Sequence, residues 1–186
     1  MKIKILSILI GLGAILVSPA PASADSDTCA DRTIVAGAVR TTEDVQAFVQ
    51  CAYEFVHEVG FEEARRAFNE EERWKSGPTY VFVDEMTDVP GASRAIVFPP
   101  DPSLEGVPWG VLTDDFGSDL IVEFYRVATN FGEGWVYYAF TNPATGRAEP
   151  KASYFKAIDW NGTSAAIGAG IYRRDLPASC RSDEVN

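Results

Sequence analysis

A chain of 186 residues, 46% of them apolar, is long enough to bury a real core as a single domain. Its net charge of −11 repels phosphate backbones and anionic lipid, so nucleic acid and membrane surfaces are poor partners. The three cysteines and the single histidine, His57, fit no zinc-ligand spacing, and the chain lacks a Gly-x-Ser-x-Gly elbow, a phosphate loop and a Ser or Cys beside a histidine. Neither a metal, nor another cofactor, nor an enzymatic activity is expected.

The amino terminus reads as a targeting segment. Lys2 and Lys4 precede an apolar run from Ile5 to Val17, which Pro19 and Pro21 break before Ala22-Ser23-Ala24 and Asp25. This order predicts a signal peptide over residues 1–24, because a spanning helix needs about 20 apolar residues. An uncleaved anchor is the competing reading. Loss of Lys2 and Lys4 takes the net charge from −11 to −13. The remaining chain is expected to be periplasmic or secreted, without stable membrane insertion. In an oxidising compartment Cys29, Cys51 and Cys180 allow one disulfide and one spare thiol. Cys29–Cys51 is the favoured pairing, since both fall in the N-terminal helical region, and Cys51–Cys180 is its rival.

Residues 25–41 form a lead-in, with a short helical stretch from Cys29 to Val39. The next helix is better marked: Val45, Phe48, Val49, Ala52, Phe55, Val56 and Val59 recur at helical spacing, between a Thr41/Asp44 N-cap and Gly60. Phe61 to Asn69 continues as further helical turns, with Glu62 and Arg66 spaced to pair. His57, on the polar side, is read as structural. After Gly77-Pro78 the period changes to that of a strand, Thr79 to Asp84, which sends Tyr80, Phe82 and Asp84 to one face and Val81 and Val83 to the other.

Residues 85–117 carry Pro90, Pro99, Pro100, Pro102 and Pro108 and only a short strand-like Ala95 to Phe98; so long a connection is often a binding loop. Ser118 is then expected to cap a helix with Leu120, Phe124, Val127 and Phe131 on one face. The acid runs Glu70-Glu71-Glu72 and Asp114-Asp115 are read as a solvated face and a helix approach, with no partner group to make either catalytic. Three hairpin-ordered strands follow, Trp135 to Phe140, Lys151 to Ile158 and Ala165 to Arg173, joined by turns at Asn142 to Gly146 and at Asn161-Gly162. Helices followed by sequential strands predict an α+β fold with an antiparallel sheet.

The last third carries a recognisable pattern: Gly132-Glu133-Gly134-Trp135-Val136-Tyr137-Tyr138, Asn142-Pro143, Lys151-Ala152-Ser153-Tyr154 and Ile167-Gly168-Ala169-Gly170-Ile171-Tyr172. With Arg73-Trp74, Tyr80 to Val83 and Phe98-Pro99 upstream, it resembles the single Cache domains, extracytoplasmic PAS-like sensors, over residues 42–175. The resemblance implies a long N-terminal helix packed on a sheet of about five antiparallel strands, a ligand pocket on the sheet's other face, and residues 176–186 as a tail. It also implies a small-molecule ligand, often an amino acid or small carboxylate. Receptors and kinases of this family continue into a membrane helix after the domain. No such helix follows Tyr172 here, so a stand-alone binder working with a separate membrane receptor or kinase is expected.

On this resemblance Arg73 and Lys151 are the candidate cations for an organic anion. Trp74, Tyr80, Phe82, Tyr138 and Tyr154 are the candidate walls. Lys151 and Tyr154 stand three apart, so a regular strand sends them to opposite faces unless a bulge intervenes. Gly168 and Gly170 leave space on one face, for a ligand or for a close sheet contact. The expected function is extracytoplasmic binding of a small carboxylate or related metabolite. The alternative is a secreted protein-interaction module that engages an envelope partner through the proline-rich segment.

Overall fold

The computed structural model describes Cys29, residues 34–111 and residues 119–173. The signal-peptide expectation, Ser118, Cys180 and the tail lie outside these residues. Among the described residues of the lead-in, Ala36–Ala38 form a 3-10 turn where the helix over Cys29 to Val39 was expected, and residues 30–33 of that stretch lie outside the described residues.

Helix α1 runs Thr42–Val59, opened by a full capping box between Thr41 and Asp44. Gly60, at φ 84°, ends α1 and starts α2, Phe61–Glu70, a backbone angle at which a side chain would be strained. Arg66 pairs with Glu63, Glu70 and Glu71 and leaves the expected partner Glu62 aside; the i,i+3 geometry with Glu63 gives it two hydrogen bonds. A small hairpin follows, β1 (Lys75–Ser76) with β2 (Thr79–Tyr80).

The main sheet has six strands, one more than expected, because the proline-rich segment supplies two. They are β3 (Phe82–Glu85), β4 (Gly91–Val97), β5 (Pro108–Gly110), β6 (Glu133–Asn142), β7 (Arg147–Trp160) and β8 (Thr163–Tyr172). All neighbours are antiparallel, in the order β5-β4-β3-β8-β7-β6. The strand expected over Thr79 to Asp84 is split at Val81, so that β2 pairs with β1 and β3 with β8 and β4. Asn161 and Gly162 both take positive φ, as the tight β7–β8 turn requires.

Helix α3, Leu120–Phe131, is capped by Asp119, whose side chain accepts from the amides of Ile121 and Val122. Leu120, Ile121, Phe124 and Val127 are buried, but Phe131, expected on the same face, is 69% exposed at the helix's last residue.

The sheet separates two apolar layers. On one face, α1 packs over β7 and β8, and Phe48, Val49 and Val56 meet Val81, Val83, Ile167 and Ala169. Trp74 is completely buried in this layer, its ring within 6 Å of the rings of Phe48, Phe55 and Phe68. The other face carries Tyr80, Phe82, Phe98, Val136 and Phe155, covered by Phe124 and Val127 of α3. No helix among the described residues is long and apolar enough to cross a membrane.

Candidate ligand-binding site

Between α3, the β4–β5 segment and the sheet lies a small cavity of about 30 Å³ that opens to solvent on one side. Its floor comes from alternate residues of adjacent strands: Tyr80 of β2, Phe82 and Asp84 of β3, Tyr138 and Phe140 of β6, and Lys151 of β7. Its roof is Leu120, Ile121 and Phe124 of α3, with Phe98 and Trp109 closing one end.

Lys151 is 2% exposed and dominates the chemistry. Its Nζ donates to the Tyr80 hydroxyl at 2.9 Å, and no carboxylate forms an ion pair with it among the described residues. Tyr172, whose ring also faces the ammonium, donates its hydroxyl to the Thr141 carbonyl at 2.8 Å. The ammonium also faces five rings, with centroids at 4.3 Å (Tyr80), 5.2 Å (Phe140 and Tyr172), 5.5 Å (Phe82) and 6.0 Å (Tyr138). Each such ring contributes roughly 0.5–2 kcal/mol to the charged form.

Two glycines make the lysine's position possible. A Cβ on Gly170 would lie 2.9 Å from Lys151 Cε, 2.4 Å from Ser153 Oγ and 2.6 Å from the Ala152 carbonyl oxygen. On Gly168 it would meet Phe82 Cζ at 2.5 Å. The glycine row lets the lysine arm and the Phe82 ring lie flat over β8.

Asp84 is the cavity's second charged group, and Trp109 Nε1 donates to its Oδ1 at 3.1 Å. Burial pushes the Asp84 carboxyl up to about 7, opposed by the Trp109 hydrogen bond and the charge of Lys151. Burial pushes Lys151 down to about 7, opposed by the charge of Asp84. Burial also drives Tyr80 and Tyr138 well above the usual phenol range and Tyr172 up to about 12, so all three keep their protons near neutral pH. Glu105 holds the wall in place: its carboxylate accepts from Arg65 and Asn69 of α2 and from the Phe98 amide at 3.0 Å.

Tyr80, Phe82, Tyr138 and Lys151 of the expected site residues therefore come together. Arg73, Trp74 and Tyr154 do not. The Arg73 guanidinium sits 4.7 Å over the Trp74 ring and donates to the Cys29 carbonyl at 3.2 Å, tying the lead-in to the body. Tyr154 belongs to the α1 layer, because the β7–β8 register runs from Lys151 to Trp160 without a bulge, so parity alone decides its face. Sequence reasoning missed Phe98, Trp109, Leu120, Ile121, Phe124 and Phe140. It also passed over Asp84 as a ligand contact, although its alternation with Tyr80 and Phe82 was a usable signal. Cys29 and Cys51 are both buried and are not joined to each other in a disulfide here, and Cys180 lies outside the described residues. His57 is exposed on α1, with its ring 4.6 Å from that of Tyr53.

A family model described as a Cache domain matches residues 56–185. The chain belongs to the Cache domain family. Among solved structures it is similar to a periplasmic sensor domain of a chemotaxis protein, at 25% identity and a TM-score of 0.50, covering 70% of this chain and 88% of that one. A Cache chemosensory domain described by its carboxylic acid recognition shares the fold at 21% identity and TM-score 0.54, over 72% of this chain and 99% of that one. So does a methyl-accepting chemotaxis protein from Vibrio parahaemolyticus RIMD 2210633, at 17% identity and TM-score 0.55, over 70% and 86%. As a Cache domain the chain is of an extracytoplasmic sensor type, and its neighbours are chemosensory domains, not enzymes.

Proposed function

We propose that this Cache domain senses a short organic carboxylate, held in the cavity by Lys151. One observation carries the reading. A buried ammonium has three protons to donate, and Lys151 spends one on Tyr80 with no carboxylate in ion-pair contact among the described residues. A desolvated cation of this kind is stabilised by an anion that enters the cavity and accepts the remaining protons. The aromatic floor and roof bury the ligand's carbon chain, and a cavity of about 30 Å³ admits only a short one. The carboxylic acid recognition named for a neighbour of the same fold supports the same chemistry.

The test is calorimetric titration of acetate, propionate and butyrate into the wild type and Lys151→Met. The variant should lose a charge-assisted hydrogen bond, about 1.5–3 kcal/mol of affinity, while keeping the fold. Equal affinity in the variant, or heat from none of these acids in the wild type, would overturn the reading. The signalling partner that fits a sensor of this type is a membrane receptor or kinase.

A further inference from the structure

Lys151 marks one end of the cavity; the other end carries the opposite charge. Asp84 of β3 stands level with Ala166 of β8, whereas Lys151 of β7 stands level with Tyr172. Phe82 and Phe155 meet at the intervening Gly168 level. Lys151, Phe82 and Asp84 all line the cavity, so its floor runs from a cation over an aromatic middle to a carboxyl group. The two charged groups form no ion pair with each other, and they are the only charged residues among the described lining.

We propose that Asp84 selects the far end of the ligand, accepting a hydrogen-bond donor such as a hydroxyl or amide and rejecting a second carboxylate. The proposal rests on the reading of the cavity as a carboxylate site. A ligand anchored at Lys151 that extends past Phe82 meets Asp84, whose Oδ1 is already held by Trp109. A donor there forms a charge-assisted bond. A second carboxylate meets an acceptor, and two carboxylates share such a site only with a proton between them. The phenols that face this end, Tyr80 and Tyr138, keep their protons and supply no compensating positive charge. Since burial holds Asp84 near 7, each pH unit above that value should disfavour a dianion by about tenfold relative to a neutral-ended analogue.

The experiment uses ligand pairs of equal size that differ by one charge: oxalate with oxamate, and malonate with malonamate. Binding is measured at pH 6 and pH 8 for the wild type and Asp84→Asn, with acetate and propionate as reference. At pH 8 the wild type should prefer the monoamide by about tenfold, the preference should narrow at pH 6, and Asp84→Asn should abolish it. An equal response to both members of a pair at pH 8, or a preference retained in Asp84→Asn, would overturn the role of Asp84. So would binding of acetate with rejection of all four longer ligands, which assigns selection to size. Absence of acetate and propionate binding overturns the carboxylate reading instead. Should Asp84→Asn fail to fold, the wild-type pH series decides.

Discussion

The ammonium of Lys151 reaches across β8 to the hydroxyl of Tyr80, joining β7 of the main sheet to the small hairpin before it. This bond is the single protein acceptor for the buried cation among the described residues. Tyr80→Phe should therefore cost about 1–3 kcal/mol at pH 6, where Lys151 carries its charge. The cost should shrink at pH 9, where most of Lys151 is neutral. Urea unfolding of wild type and variant at the two pH values reads the difference; an equal loss at both would mean that the hydroxyl matters for packing alone.

Gly170 predicts a steric effect of a different kind. Its added Cβ would meet a backbone carbonyl oxygen at 2.6 Å, which cannot swing away, as well as the Lys151 arm. Gly170→Ala should destabilise by about 1–3 kcal/mol and displace Lys151, weakening carboxylate binding along with the fold. Thermal unfolding with and without propionate checks both losses. A variant with unchanged ligand affinity would separate the glycine from the lysine.

The two titrating groups shape stability against pH in opposite directions. Asp84 is raised from 3.8 to about 7, so between these values the folded state holds a proton that the unfolded state has lost, and stability falls as pH rises. Lys151 is lowered from 10.5 to about 7, so above 7 the unfolded state holds the extra proton, and stability rises with pH. Their joint contribution is lowest near pH 7. Denaturant unfolding from pH 4 to 10 should show the acid-side fall reduced in Asp84→Asn and the alkaline-side rise reduced in Lys151→Met.

The residues on the α1 face give the contrasting outcome. Trp74→Ala should cost about 3–5 kcal/mol, because it empties a fully buried aromatic layer. Tyr154→Phe keeps the ring and its packing. Where folded, both variants should bind propionate as the wild type does, since neither residue lines the cavity. Reduced affinity at 25 °C in folded Tyr154→Phe would show that the sheet transmits changes between its faces.

The sequence by itself determined the elements whose physics is local. Apolar spacing in α1, its Thr41/Asp44 box, the Asn161-Gly162 turn and the alternation of Tyr80, Phe82 and Asp84 all act within a few residues, so each was legible before folding. The Lys-x-x-Tyr pattern on β7 pointed to the right strand through its resemblance to the Cache family. Tertiary structure decided which face became the site. Parity placed Lys151 and Tyr154 on opposite sides, but only the packing of α1 against one layer and α3 against the other says which side is filled and which is hollow. Trp109 reaches Asp84 from β5, a strand too short to show a period, and β4 became a strand because β3 offered an open edge, as β4 then did for β5. Arg73 and Trp74 were drawn from the cavity into the α1 layer by aromatic partners on α1 and α2, a contact between distant segments that local spacing does not encode.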